Sequence, residues 1–315
     1  MAGVFSGDGE DESQPAGGGG STSSDPAGRA KPTVVATIRA GDGPDGIAVD
    51  GKTVWVSNSN GNALTRLDAD RNEAFGNPVP VGRNPDVVAV ADGVVWVANT
   101  DDGTVTRLEA DPEPGASSTI PVGAGPEGLS LGEQLVWVAN GDDDSVSRID
   151  RASPAVVGEP IGVGNKPIGL FVGESFVWVT NSFSGTVTRI DPATAQVVGP
   201  PVVVGKNIRS VIEGLGFTWV SSVAEDTVTR LDPKSGRVIG KPIRVGDRPK
   251  EMAVADGLLW VVNEGSNSVS RIDPETARVV GSPIRVGDTP VGIAAGAGSL
   301  WVSNNASDTV TRIDP

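Results

Sequence analysis

Tryptophan occurs seven times in this chain, and each tryptophan is 41 residues from the next. Each lies in a short apolar stretch of the same type, such as Val95-Trp96-Val97-Ala98-Asn99. Self-similarity at a fixed period is the signature of a repeat architecture, in which each copy is one supersecondary unit. The same position in seven copies of one unit is therefore marked by Trp55, Trp96, Trp137, Trp178, Trp219, Trp260 and Trp301.

One copy, residues 126–163, contains four short strand patterns separated by turns. The predicted strands are residues 126–131, 135–140, 145–150 and 156–163. The fourth carries Pro160, which suits an outer edge because proline cannot donate to a ladder. Seven such units are typical of a β-propeller, in which neighbouring sheets cover each other's faces. We therefore predict an all-β, seven-bladed β-propeller with four antiparallel strands per blade.

The two ends of the repeat region predict how the ring closes. The last repeat finishes on a third-strand pattern, Thr309–Asp314, so its blade lacks a fourth strand. The segment Thr33–Arg39 has the pattern of a fourth strand and no blade of its own before it. We expect this N-terminal segment to join the blade that contains Trp301 and to fasten the ring, because it would otherwise leave an unpaired edge.

Residues 1–32 differ in composition from the propeller region, residues 33–315. They contain an acidic run, a glycine run and a serine-rich run, a composition that cannot bury enough surface to fold, so we predict a flexible linker. A short apolar start, Ala2 to Phe5, before this spacer favours an extracytoplasmic chain, secreted or tethered to a membrane. A cytoplasmic protein that begins at Met1 is the alternative. No stretch reaches the ~18 apolar residues that a membrane span requires.

Composition excludes several classes of function. The net charge of −15 argues against nucleic acids and anionic membranes as partners. The chain has no cysteine and no histidine, which removes thiolate chemistry, the commonest general base and the commonest transition-metal ligand. We therefore predict no catalytic residues, no enzyme activity, no cofactor and no metal. Acidic loop tips at residues 101–102 and 142–144 lack the spacing of a calcium loop, so solvated turns are favoured over a calcium site.

Three repeated motifs resemble a known family: Trp-Val-x-Asn in the second strand, [Thr/Ser]-x-[Thr/Ser]-Arg-[Ile/Leu]-Asp in the third, and Pro-x-Gly-Ile-Ala-Val in the first. They are similar to the YVTN-type bacterial β-propeller repeats, relatives of the NHL repeats, although tryptophan replaces the usual leading tyrosine in every copy. The resemblance covers residues 33–315. It implies a propeller that is secreted or forms the outer sensor domain of a membrane receptor kinase. Similar propellers include lyases that open cyclic antibiotic lactones with a histidine base, which this chain lacks.

Residues shared by the blades are interpreted as structural. The tryptophans are expected in the core. The asparagine three residues after each tryptophan is expected to bond the nearby backbone, and blade five has Ser222 instead. Third-strand arginines, each followed two residues later by an acid, predict ion pairs between blades or stacking on aromatic rings. These arginines are Arg66, Arg107, Arg148, Arg189, Arg230, Arg271 and Arg312.

Positions that differ between blades are the better candidates for function. Blade five has Ile208 where its neighbours have proline, and Ser210 where four other blades have glycine. Basic residues cluster in the loops of blades four to six, at the end of the propeller where ligands of such folds usually bind. The predicted ligand-binding residues are Lys166, Lys206, Arg209, Ser222, Arg248 and Lys250.

The expected ligand of this basic sector is an anionic small molecule or an acidic protein segment. The sequence thus predicts a monomeric, non-catalytic binding or sensor module that recognises a ligand or partner on its loop face. A rigid protein–protein interaction scaffold is the alternative, and a lyase-like enzyme is third. A small-molecule role predicts a pocket at the channel mouth beside blades four to six, whereas a scaffold role predicts a flat exposed patch.

Overall fold

The structure is a computed structural model that describes residues 31–110 and 114–315. In these residues it is a seven-bladed β-propeller, with seven antiparallel sheets arranged as blades. Its helical content there is two single 3-10 turns, Thr100–Asp102 and Asn305–Ser307. None of the described helices is long and apolar enough to span a membrane. The predicted linker, residues 1–32, lies almost wholly outside the described residues.

Each blade begins with the strand nearest the channel and ends with the strand at the outer edge. The first three blades contain β2 (Pro44–Asp50), β3 (Thr53–Asn58), β4 (Ala63–Asp68) and β5 (Glu73–Pro80); β6 (Pro85–Ala91), β7 (Val94–Asn99), β8 (Thr104–Glu109) and β9 (Ser117–Pro121); and β10 (Pro126–Leu131), β11 (Leu135–Asn140), β12 (Ser145–Asp150) and β13 (Ile161–Gly162).

The remaining blades follow the same order, and the first strand of the chain, β1 (Thr33–Arg39), belongs to the last of them. They contain β14 (Pro167–Val172), β15 (Val177–Asn181), β16 (Thr186–Asp191), β17 (Gln196–Val197) and β18 (Val202–Val203); β19 (Ile208–Gly214), β20 (Phe217–Ser222), β21 (Thr227–Leu231) and β22 (Val238–Arg244); β23 (Pro249–Ala255), β24 (Leu258–Asn263), β25 (Ser268–Asp273), β26 (Arg278–Val279) and β27 (Ile284–Arg285); and β28 (Pro290–Gly296), β29 (Ser299–Asn304) and β30 (Thr309–Asp314).

The outer strands of blades three, four and six are shorter than the sequence predicts. The predicted strand at residues 156–163 is a single bridge at Val156 followed by β13, and the corresponding strands of blades four and six are each split into two short pieces. A proline lies between the paired pieces in each blade, Pro160, Pro200 and Pro283 among them. Because proline has no N–H to donate, the ladder is interrupted at the outer edge, where the loss is tolerated.

The predicted closure of the ring is confirmed. Strand β1 pairs antiparallel with β30, from Thr33 opposite Asp314 to Arg39 opposite Thr309. Ile38 and Ala40 pack with Val310 in a buried cluster that also contains Trp301. The N-terminal strand therefore supplies the outer edge of the seventh blade and joins the two ends of the repeat region in one sheet.

The predicted core positions of the tryptophans are also confirmed. Every tryptophan is at most 2% exposed, and each sits among valine, leucine and isoleucine side chains of its own and the neighbouring blade. The indole N–H of Trp219, Trp260 and Trp301 donates to a carbonyl of the first strand in the same blade. These side chains fill the space between blades, which the short strands cannot fill by themselves.

The third-strand arginines stack on rings, as one of the two predicted interactions requires. The guanidinium groups of Arg66, Arg230 and Arg312 lie 5.9, 5.9 and 5.1 Å from the ring centroid of the tryptophan opposite them in the same blade. Between blades they donate to carbonyl oxygens, as Arg230 does to Pro274 at 2.9 Å. The acid two residues on pairs with its own arginine in two blades, as Glu109 does with Arg107 at 3.3 Å and Asp314 with Arg312 at 3.9 Å. In another blade Asp150 accepts the backbone N–H groups of Ala152 and Ser153 and fixes the turn after its strand.

The asparagines that follow the tryptophans hold the preceding loop against the blade. The Asn99 Oδ1 atom accepts the N–H of Gly82 at 3.1 Å, and its Nδ2 donates to the hydroxyls of Thr104 and Thr106. The same arrangement recurs at Asn140, where Gly123 is the donor. Five of the described blades contain this bond, which holds the loop that precedes the inner strand and so positions the first residues of that strand.

Candidate functional site

One position per blade lines the channel near the loop face, and it differs from blade to blade. It is the second residue of the inner strand, which directly follows the loop between blades. The seven residues recur at the repeat spacing of 41 and are Asp45, Asp86, Glu127, Ile168, Arg209, Lys250 and Val291. Blades one to three thus present acids to the channel, blades five and six present bases, and an apolar residue separates the two groups on either side.

A cavity of roughly 100 Å³ lies among these residues. Its polar side chains are Asp45, Asp86, Arg209 and Glu251, and its apolar wall comes from the inner strands of blades one, two and seven. Blade five lies across the ring from blades one and two, so Arg209 reaches over the channel to the acids. A single water needs only ~10–15 Å³ of such volume, so the cavity has room for a small molecule.

Arg209 is held near carboxylates without bonding to them. The distance from Nη2 to Asp86 Oδ2 is 4.0 Å, and that from Nε to Glu251 Oε1 is 3.9 Å. Charge-assisted hydrogen bonds are about 2.7–2.9 Å long, so both contacts are purely electrostatic. The Nε atom is buried and has no hydrogen-bond partner. Burial opposes the charge of Arg209, but Asp86, Glu251 and Asp45 outweigh it and raise the pKa of the guanidinium.

Burial shifts the two acids toward their neutral forms. It raises the pKa of Asp45 to about 6, although Arg209 and Lys250 pull in the other direction. Burial, with the neighbouring charge of Asp45, raises the pKa of Asp86 well above its usual range. Within the described residues, no donor lies within hydrogen-bonding distance of the side-chain oxygens of Asp45 or Asp86. The cavity therefore holds free acceptors on one side and free donors on the other.

Blade six adds a third acid, Glu251, to the cavity at the position where four blades have glycine. Glu251 accepts a hydrogen bond from the Ser210 hydroxyl at 2.6 Å, so the unusual serine of blade five positions the unusual glutamate of blade six. Next to it, Lys250 lies 3.4 Å from Glu264. Burial lowers the pKa of Lys250, and the nearby charge of Arg209 lowers it further.

The structure disperses the other predicted ligand-binding residues. The amine of Lys166 pairs with Glu127 at 2.6 Å and with Asp142 at 2.9 Å. Arg248 pairs with Glu264 at 2.7 Å. Lys206 is exposed on the loop face, and its carbonyl accepts the hydroxyl of Ser222, which is buried. Of the six predicted residues, Arg209 lines the cavity and Lys250 is next to it.

The acidic loop tips contact neighbouring loops. Asp143 accepts the N–H of Ala124, and Asp144 accepts the N–H of Lys166. The carboxylate of Asp102 accepts hydrogen bonds from the backbone N–H and from the Nε of Arg83. These carboxylates hold the loops between blades in place. No cluster of potential metal ligands is found in the described residues.

Sequence reasoning missed the acids of this site. The residues that the sequence predicts for ligand binding do not include Asp45, Asp86, Glu127 or Glu251. The signal that identifies them is the repeat itself: each of the first three lies a multiple of 41 residues from Arg209. Residues at equivalent positions of a ring face the same axis, so the spacing brings the acids and Arg209 together.

Comparison with known proteins places the fold but no family. No protein-family model matches the chain, and no curated protein matches its sequence. Among solved structures, it is similar to virginiamycin B lyase from Staphylococcus aureus, with 17% identity over 90% of this chain and 100% of that chain and a TM-score of 0.78. It is also similar to Kuenenia stuttgartiensis hydrazine synthase, with 19% identity over 87% of this chain and 96% of that chain and a TM-score of 0.77. The WD40 propeller domain of Doa1 matches with 12% identity over 90% of this chain and 96% of that chain and a TM-score of 0.75.

The prediction that this chain is not an enzyme is overturned by these matches. Two of the three similar structures are named as enzymes, so this propeller fold occurs in enzymes. The identities of 12–19% show the fold alone. The specific YVTN or NHL assignment has no matching family model and remains a resemblance.

Proposed function

We propose that this protein binds a small charged molecule in the channel cavity formed by Asp45, Asp86, Arg209 and Glu251. The observation that carries the proposal is that Arg209, Asp45 and Asp86 line one cavity, with the Nε atom of Arg209 unbonded and its Nη2 atom 4.0 Å from Asp86. A buried polar group without a hydrogen bond costs roughly 1–3 kcal/mol, and more if it is charged. The Nε atom of Arg209 is such a group, and Asp45 and Asp86 add two half-buried carboxyls at the same place. A ligand that supplied hydrogen bonds to them would therefore stabilise the fold.

The surrounding repeat sharpens this argument. Arg209 and the two aspartates occupy a position where blades four and seven have Ile168 and Val291. An apolar side chain is therefore compatible with the backbone at this position. Replacing buried ion pairs by apolar residues is often neutral or stabilising. The charged residues are thus not needed to form a propeller, and ligand binding is the function that they support best.

The test is a thermal-shift screen of wild type and two variants. The ligand panel would contain amino acids, small amines, short carboxylates, sugars and nucleobases. The site variant is Arg209→Met combined with Asp86→Asn. The control variant is Arg244→Met, which removes an exposed arginine from the outer edge of the same blade. We expect at least one class of compound to stabilise wild type and the control, but not the site variant. Equal shifts in all three proteins, or no shift in wild type, would contradict the proposal.

A second candidate function is acid–base catalysis in the same cavity. A carboxyl with a pKa of about 6 inside a cavity can accept and release a proton near neutral pH, and Asp45 has this property. A solved structure of similar fold is a catalytically inactive virginiamycin B lyase with quinupristin, in which one histidine is replaced by alanine. This chain has no histidine, so proton transfer here would use carboxyls. Each compound that stabilises the protein would be incubated with it and analysed by mass spectrometry, which detects chemical conversion of the compound. Asp45→Asn should abolish this conversion, and compounds that all remain unchanged with wild type would exclude catalysis.

Two wider expectations from the sequence remain predictions. The interaction-scaffold alternative has Phe183 on the loop face as its support, since this side chain is 75% exposed. The extracytoplasmic setting and the membership in a larger receptor depend on residues 1–32. The sequence encoded upstream of Met1 would test that setting, because about 20 apolar residues behind a basic flank would indicate a membrane anchor.

A further inference from the structure

The channel cavity contains both signs of charge: a guanidinium and two aspartate carboxyls lie on opposite sides, and a third carboxyl, that of Glu251, lies beside the guanidinium. Arg209 comes from blade five, while Asp45 and Asp86 come from blades one and two. The other charged members of the channel ring already have partners, since Glu127 pairs with Lys166 and Lys250 pairs with Glu264. The groups left for a ligand are therefore the guanidinium of Arg209 and the carboxyls of the two aspartates.

The donor side fits a carboxylate. All five N–H donors of an arginine lie in one plane, and two of them match the two oxygens of a carboxylate. Asp86 and Glu251 lie 4.0 and 3.9 Å from the guanidinium, on different nitrogen atoms. They are near enough to keep Arg209 in place by charge but too far to use its hydrogen bonds. An oxyanion that enters the cavity finds these donors available.

The acceptor side fits an ammonium group. Asp45 and Asp86 both line the cavity, and no donor of the described residues bonds to their carboxyl oxygens. With Glu251 counted as well, the cavity has three carboxyls and one guanidinium. A positive group beside Asp45 and Asp86 would supply the missing hydrogen bonds and balance the excess of acids. It would also favour the ionised form of both carboxyls, which burial disfavours.

The remaining lining limits the size and polarity of the ligand. Apolar contacts are available from Ile47, Val88, Val291 and Ile293, which line the same cavity as the charged groups. A volume of roughly 100 Å³ suits a molecule of few heavy atoms with a small aliphatic part. The 4.0 Å between Arg209 and Asp86 requires that the two charges of the ligand be close to each other.

We propose that the cavity binds a small zwitterion of the α-amino-acid type, with its carboxylate on Arg209 and its ammonium between Asp45 and Asp86. This assignment rests on the proposed function, because it names the chemical class of the molecule that binds there. It differs from the anionic ligand that the basic loop sector predicts from sequence. Three members of that sector, Lys166, Arg248 and Lys250, pair with acids in the structure, whereas the zwitterion uses both halves of the channel.

Calorimetric titration with four probes tests the assignment. Glycine and L-alanine carry both charges, methylammonium carries the positive charge alone, and acetate carries the negative charge alone. We expect both amino acids to bind the full chain at least about tenfold more tightly than either single-charge probe, because each lost charge-assisted hydrogen bond weakens binding by about that factor or more. The exposed variant Arg244→Met should bind them as wild type does.

Variants separate the two halves of the site. Arg209→Lys keeps the charge but loses the two-pronged donor geometry, so it should weaken glycine binding about tenfold or more and leave methylammonium unaffected. Asp86→Asn should weaken glycine and methylammonium but not acetate. Circular dichroism and melting curves would confirm that each variant is folded, and Arg209→Met provides a second test if Arg209→Lys is poorly folded.

The relative affinities of the four probes separate an amino-acid site from a site for another kind of molecule. Methylammonium binding as tightly as glycine would show a cation site and overturn the zwitterion. Acetate binding as tightly as glycine would show an anion site and overturn it as well. If none of the four probes binds, the amino-acid class is wrong, while the wider thermal-shift panel still decides whether the cavity binds another kind of molecule.

Discussion

Two positions of the 41-residue repeat differ in how much their residues vary from blade to blade. The second-strand position is tryptophan in all blades and is completely buried between sheets. The channel position takes six residue types in seven blades, and most of them are charged. A residue between two blades meets nearly the same surroundings in every copy, so one solution serves all seven. A residue on the axis faces the other blades' copies of itself, so the copies can differ and divide a task among them.

The largest effect is expected from removal of β1, the strand that completes the seventh blade. Deleting Thr33–Arg39 should lower the free energy of unfolding by roughly 5 kcal/mol, since six residue pairs with β30 are lost at about 1 kcal/mol per hydrogen bond. Denaturant unfolding of a chain that starts at Ala40, against one that starts at Thr33, measures the loss. An unchanged midpoint would show that the ring does not depend on this closure.

A single core substitution should separate the two positions. Trp260→Ala is expected to reduce stability by about 3–5 kcal/mol, because it removes a large side chain that is 1% exposed. Val291→Ala, at the channel position of the neighbouring blade, should cost about 1 kcal/mol, because it faces the cavity. Both values come from urea unfolding at neutral pH. Equal losses at the two sites would remove the distinction between core and channel.

The channel acid should give the protein a measurable pH dependence. The pKa of Asp45 is raised to about 6 from its ordinary 3.8, so its stabilising protonation is complete below about pH 4 and is lost as the pH rises through 6. A pKa difference of about 2, at ~1.36 kcal/mol per pH unit, sets an upper limit near 3 kcal/mol on this effect. The partial exposure of Asp45 reduces it to ~1–2 kcal/mol. Asp45→Asn cannot ionise, so it should be that much more stable than wild type at pH 7.5 and equal to it at pH 4.

Urea unfolding of both proteins at pH 4, 5, 6 and 7.5 measures this difference, which includes the change in the titration of Asp86 when the charge of Asp45 is removed. Asp70→Asn is the matched control, because Asp70 is 61% exposed on the outer rim. A difference between wild type and Asp45→Asn that is the same at every pH would mean that Asp45 does not titrate in this range.

The smallest effect is expected on the loop face outside the channel. Phe183 occupies a position where the other blades have Asn60, Asp101, Asp142, Ala224, Gly265 and Ala306. Phe183→Ser should change stability by no more than about 0.5 kcal/mol, because the side chain is 75% exposed and supports no core. Thermal melting measures the change. A loss of stability above 1 kcal/mol would show that Phe183 contributes to the packing of the propeller.

Sequence reasoning succeeds where the repeat constrains every copy. The number of blades, the four-strand pattern, the burial of the tryptophans and the closure by Thr33–Arg39 all follow from the period of the repeat and from where its first and last copies stop, which can be read along the sequence. The outer strand at residues 156–163 is shorter than predicted: the sequence shows Pro160, but it does not show that only Val156 and the two residues of β13 pair.

The site was predicted only in part for a related reason. Arg209 was recognised because blade five departs from the repeat, but its acidic neighbours were not. Charge partners such as Asp86 are 123 residues away in sequence, and nothing local indicates that they meet. The blade-by-blade comparison of one position supplies that information once the ring geometry is fixed.

The pairing of β1 with β30 also sets the order in which this protein can be completed. Thr33 leaves the ribosome 281 residues before its partner Asp314. At a synthesis rate of about 5–20 residues per second, roughly 15–55 s pass between the two. Blades one to six can form during that interval, while β1 remains an unpaired strand. The last step of folding therefore joins the oldest and the newest parts of the chain, and it is the step most exposed to pairing with another molecule.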